Sequence, residues 1–170
     1  MARHGTYGRK TPPGAKVPRW YCRESHTTIS LLADCLSSHL PGTLDDLEAV
    51  AVAAEGAASL EAAANDVRRD AIELPGAVRW VRRRVRLVHD VLARVIGLIP
   101  DKLAGCAATM VAVRERLGSD SALMALRGLV SAQLRALPAP LGFQPHGTGV
   151  GGRKPAFQHS MGPDPPPAAA

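Results

Sequence analysis

Two short stretches hold the residue types that could do chemistry. Cys22 and His26 stand four positions apart in "RWYCRESHTTISLL", a spacing that suits one pair of zinc donors held in the turn of a hairpin. Arg79, Arg82, Arg83, Arg84 and Arg86 crowd into "VRWVRRRVR", where guanidinium groups can clamp phosphates or contact guanine edges. A tetrahedral zinc site needs four N or S donors, usually as two short-spaced pairs. No second pair accompanies the first. His4 and Cys35 are single donors, and Cys106 belongs to a helical seam.

The elements that must position these groups follow from composition and period. The chain has 170 residues, 46% of them hydrophobic, enough for one ordinary domain or two small ones with a core. Only 4% are aromatic, which favours small helical packing over a large sheet, so the expected class is mainly α. The net charge of +6 suggests an anionic partner, and it is segregated. Residues 1–26 carry six Lys/Arg and one acid, 34–66 carry seven acids and no Lys or Arg, and 68–86 carry seven Arg and two acids. Charge runs of this kind also serve as ordinary solvated helix faces. The three cysteines, Cys22, Cys35 and Cys106, imply no disulfide framework. The first residues lack the apolar core of a signal peptide and every apolar run is broken by charge, so a cytoplasmic location and no membrane partner are expected.

"TPPGAKVP" is turn-rich, and "RWYC" and "TTISLL" then read as two strands of a small hairpin. From Thr43 the period becomes helical. Thr43 with Asp46 is a capping box, and Leu44, Leu47, Val50, Ala51 and Ala54 share a face before Gly56. Ser59 caps a second, shorter helix bearing Leu60, Ala63, Ala64 and Val67. Pro75 opens a long helix to about Leu98, with a seam of Val78, Val81, Val85, Val88, Leu92, Val95 and Ile99. A further helix is expected from Asp101 to Leu117 and a last one from Ser121 to Leu137, folding back as an antiparallel hairpin or bundle. A self-associating coiled coil is the alternative. The chain so divides into 1–42, 43–99, 100–137 and a Pro/Gly/Ala-rich tail, 138–170, expected to be disordered.

"RWYC…HTTISLLADCL" resembles the second knuckle and following strand of the zinc ribbons at the front of insertion-sequence transposases and their short relatives. That resemblance implies Cys22 and His26 as zinc ligands. It also implies a first Cys-x-x-Cys knuckle upstream of "HGTYGRK", which these residues lack, so a zinc-ribbon remnant without bound cofactor is expected. "SLEAAANDVRRDAIELPGAVRWVRRRVR" resembles the second and third helices of the helix-turn-helix in the same proteins, with a longer break over 69–74. The resemblance spans about residues 4–90 and implies duplex DNA as partner, with Arg79, Arg82, Arg83, Arg84 and Arg86 on the reading helix. Physically, Ala63 and Ala64 permit close approach of a crossing helix whose N-terminal half can enter a major groove.

No enzyme is expected. Transposition chemistry requires a carboxylate cluster on an α/β domain, and none follows residue 100. "GTGVGGRK" has no strand before it and no helix after it, so it is not a nucleotide loop. The acids Asp45, Asp46, Glu48 and Glu55 read as helix N-terminal charge and solvent exposure. Two functional readings remain: a non-catalytic DNA-binding protein, and a helical interaction or self-association module, including a homodimer, whose arginines only keep it soluble.

Overall fold

In the computed structural model, residues 1–67 and 74–144 are described. Three strands, β1 (Ala2–Gly8), β2 (Lys16–Cys22) and β3 (Thr27–Ser30), form an antiparallel sheet in the order β1-β2-β3. β2 and β3 are the expected hairpin, with Cys22 opposite Thr27 and Trp20 opposite Ile29. β1 carries no apolar alternation and is exposed along its whole length, so its sequence gives no strand signal. Its register on β2 slips between Arg3 and Gly5, so that Tyr7 faces Val17.

Six helices follow among the described residues: α1 (Leu44–Gly56), α2 (Leu60–Val67), α3 (Leu74–Leu98), α4 (Pro100–Leu103), α5 (Met110–Leu117) and α6 (Ala122–Leu129). The chain is therefore mainly α with a small N-terminal sheet. α1 starts as its sequence dictates: Thr43 Oγ1 accepts from Asp46 N and Asp46 Oδ2 accepts from Thr43 N, both at 3.0 Å. Ser59 Oγ caps α2 by accepting from Ala62 N. Between α2 and α3, the expected break over 69–74 lies largely outside the described residues.

The seam of α3 is buried twice over. Its first half packs Ala77 and Val81 on Val50, Ala63 and Ala64, a small cluster shared by α1, α2 and α3. Its second half packs Val88, Leu92 and Val95 into a larger core with Leu44, Leu47, Ala51, Met110, Val113, Leu123 and Leu126. Small side chains on α2 let α3 approach closely, and the large aliphatics downstream supply most of the area removed from water.

Past α3 three expectations need correction. A single helix over 101–117 does not form. α4 ends after one turn, Gly105 takes a left-handed backbone (φ +71°), and Thr109 starts α5 afresh with its Oγ1 accepting from Ala112 N. The last helix stops at Leu129, short of Leu137, and passes into a 3-10 turn, Ser131–Gln133. Finally, the packed chain does not end at Pro138. Leu137 and Leu141 are buried in the large core, Ala139 is buried as well, Pro138 bridges Gln144, and a Cβ at Gly142 would collide with the carbonyl of Leu137. The remainder of the tail, 145–170, lies outside the described residues.

Buried polar groups lock this arrangement. Arg127 is 3% exposed and donates to four main-chain carbonyls, those of Asp34, Leu36, Pro140 and Leu141. Ser38 donates to the carbonyls of Pro140 and Gly142, and Arg9 donates to those of Ser37 and Leu40. The segment before α1, the segment after the 3-10 turn and the β1–β2 loop are thereby joined. Such groups must be paired when buried, and here each pairing crosses from one part of the chain to another.

Candidate nucleic-acid interface

Arg79, Arg82, Arg83 and Arg86 occupy the outer face of α3, opposite the seam, and all four are exposed. Steps of three, one and three residues keep them within about 100° of helix arc. Arg94 continues the same stripe and is exposed as well; its spacing from Arg79 and Arg83 was the signal for it, although it lies beyond the arginine run itself. From Arg79 to Arg94 the stripe extends about 22 Å along the axis, interrupted by Asp90. Among the described residues, none of these five arginines has an ion-pair or hydrogen-bond partner. Their exposed guanidinium groups can be reached by an anion.

Arg84 is placed elsewhere. It was expected to flank the basic face, yet it points inward and is 8% exposed, its guanidinium carbon 3.6 Å from the centroid of the Trp80 ring. Four residues apart on one helix, the two side chains stack as a cation on an aromatic face. Burial is the main force lowering the Arg84 pKa to about 10, reinforced by the neighbouring charge of Arg83 and opposed by Asp46. Arg84 is thus withdrawn from the outward stripe, and Trp80 is a half-buried residue at the edge of the core.

Cys22 and His26 flank the β2–β3 turn. His26 adopts a left-handed backbone (φ +50°), and its Nδ1 lies 3.0 Å from the Tyr21 hydroxyl. Tyr21 also faces His4, with ring centroids 6.0 Å apart. The Cys22 thiol is held below the ordinary range chiefly by the Ser25 hydroxyl, with the backbone at Ser25 and Glu24 adding to it. Among the described residues, no group of three or more His, Cys, Asp or Glu could hold a metal ion. The structure brings Cys22 and His26 to one turn but assembles no ligand set around them.

The acids read as solvent-exposed are corrected most sharply. Glu48 is 2% exposed, and its two carboxylate oxygens accept from Ala122 N at 3.0 Å and Leu123 N at 2.9 Å, the start of α6. Glu55 accepts from Met110 N at 2.7 Å and Val111 N at 2.9 Å, the start of α5, and from His89 Nε2 at 2.7 Å when that nitrogen carries a proton. These are caps supplied from another helix rather than from the local sequence. Their effect is to fix α5 and α6 against α1, which in turn holds the second half of α3.

The chain matches no protein-family model, no curated protein and no solved structure. No helix among the described residues is long and apolar enough to cross a membrane.

Proposed function

We propose that this chain is a non-catalytic DNA-binding protein of cytoplasmic setting, related to the front end of insertion-sequence transposases, that docks the outer face of α3 on duplex DNA. The observation that carries the reading is the stripe of Arg79, Arg82, Arg83, Arg86 and Arg94, exposed and without an ion-pair partner among the described residues, on a helix whose opposite face is locked in the core. The helix fixes the spacing of these arginines along one row, and arginine forks suit phosphate geometry. The role assigned to them is phosphate contact, which positions a protein on the duplex without reading sequence. Self-association through the α3 seam is the weaker reading, because Val88, Leu92 and Val95 are already covered by the chain's own helices.

The test is fluorescence anisotropy with mixed-sequence duplex DNA across a salt series, comparing the full chain with Arg82→Ala/Arg83→Ala/Arg86→Ala. A steep fall of affinity with salt, flattened in the triple variant, is expected. Equal behaviour of the two proteins, or no binding at low salt, sinks the proposal.

A further inference from the structure

We propose that the cavity between α1, α2 and the first half of α3 is a binding site for a small monocarboxylate with an apolar body. Its volume is about 410 Å³, within the range of small-molecule sites. One wall is hydrocarbon, from Val50, Ala64, Val67 and Val81, and the other is formed by Trp80, Arg84 and Asp46. This inference is independent of the DNA reading, since Arg84 is the one arginine of the run that leaves the outer stripe.

Arg84 specifies the ligand class. The residue is more than nine-tenths buried, and its side chain makes one specific contact, the stack on Trp80. That stack covers a face of the guanidinium and leaves the N–H edge of the fork without a hydrogen-bond or ion-pair partner among the described residues. A buried cation is normally paired, and a planar carboxylate meets such an edge with two parallel hydrogen bonds. Asp46 does not fill the role. It forms no ion pair with Arg84, and its Oδ2 is committed to Thr43 N in the α1 cap. Its negative charge lining the same cavity disfavours a dianion such as phosphate. A wholly apolar ligand would leave Arg84 as unpaired as before, whereas a carboxylate carrying a short hydrocarbon or phenyl group satisfies both walls.

The experiment is calorimetric titration of the full chain with octanoate and with 3-phenylpropionate, alongside 3-phenylpropanamide and inorganic phosphate. Saturable one-to-one binding of at least one acid is expected, at least tenfold tighter than the amide or phosphate. Arg84→Met should lose at least tenfold in affinity while keeping the helical circular dichroism of the parent, and Arg82→Ala/Arg83→Ala should bind as the parent does. Ala64→Leu, which fills the apolar side and keeps Arg84, should also lose binding. In a Trp20→Phe background the emission of Trp80 should shift on saturation. The proposal is overturned if neither acid saturates the folded chain, if the amide binds as tightly as the acid, or if Arg84→Met leaves affinity unchanged.

Discussion

Glu48 and Glu55 stand two turns apart on α1, and each carboxylate caps a different helix, α6 and α5 respectively. The two sites differ in burial and in their second partners: Arg114 Nε lies 3.2 Å from Glu48, while Glu55 meets the half-exposed His89. Removing a buried charge partner leaves groups stranded, so Glu48→Ala should cost about 3–5 kcal/mol. Glu55→Ala, closer to the loss of an ordinary cap, should cost about 1–2 kcal/mol. Urea unfolding followed by circular dichroism measures both, and equal losses would contradict the ranking.

Arg127 gathers four carbonyls, of which that of Pro140 is also reached by Ser38. Replacing it with Met keeps much of the volume but abandons these acceptors, each worth about 1–3 kcal/mol when left buried and unpaired. A loss of at least about 3 kcal/mol is expected from the same unfolding measurement. A chain ending at residue 136 should be destabilised comparably, because it removes Leu137, Ala139 and Leu141 from the core together with two of the Arg127 acceptors.

On DNA, single substitutions should sort by face. Alanine at Arg79, Arg82, Arg83 or Arg86 should each reduce the slope of log affinity against log salt by about 0.9, the value for one phosphate contact. Arg84→Ala should leave the slope unchanged as long as the fold is intact. A slope change at Arg84 equal to that at Arg83 would mean that the inward placement does not hold in solution.

Cys22 should be the thiol whose reactivity depends on a neighbour. The Ser25 hydroxyl favours its thiolate, so alkylation of Cys22 by iodoacetamide near neutral pH should slow in Ser25→Ala, while Cys35 and Cys106 keep their rates. Peptide mapping by mass spectrometry separates the three sites. An unchanged Cys22 rate would remove Ser25 as the cause.

Arg84 gives a pH dependence of defined sign. Its pKa in the folded chain is lowered to about 10, so the unfolded chain binds the extra proton between there and the ordinary arginine range. The group therefore weakens the fold below pH 10, and the penalty is relieved as pH rises beyond it. Arg84→Met should be at least as stable as the parent at pH 7, with its advantage shrinking between pH 9.5 and about 11.5. Stability that is clearly lower in the variant at neutral pH would show that the stack on Trp80 outweighs desolvation.

What could be read from the sequence was whatever depends on neighbours along the chain. Thr43 and Asp46 announce the start of α1, the valine steps announce the buried face of α3, and the β-branched run after His26 announces β3. Residues whose role depends on distant partners were misread. Glu48 and Glu55 look like surface acids until α5 and α6 arrive at their carboxylates, and Arg84 looks like one more basic residue until helical phase places it over Trp80. Pro138 reads as the end of the fold because the residues after it lack a period, yet Leu141 and Gly142 pack without belonging to any helix or strand. The single helix over 101–117 was an over-extension across Gly105 and Thr109, both of which are stop and start signals in their own right.

The clamp formed by Arg127 and Ser38 has a topological consequence. It ties the chain just before α1 to the chain just after the 3-10 turn, so the helical body is a closed circuit whose two leads leave through one gate, next to the sheet. Pulling those leads apart would load the clamp directly, before any helix bears tension. A partner fused after residue 144 would be delivered to that gate, with Phe143 and Tyr7 bordering the same groove, and not to the far end of the bundle.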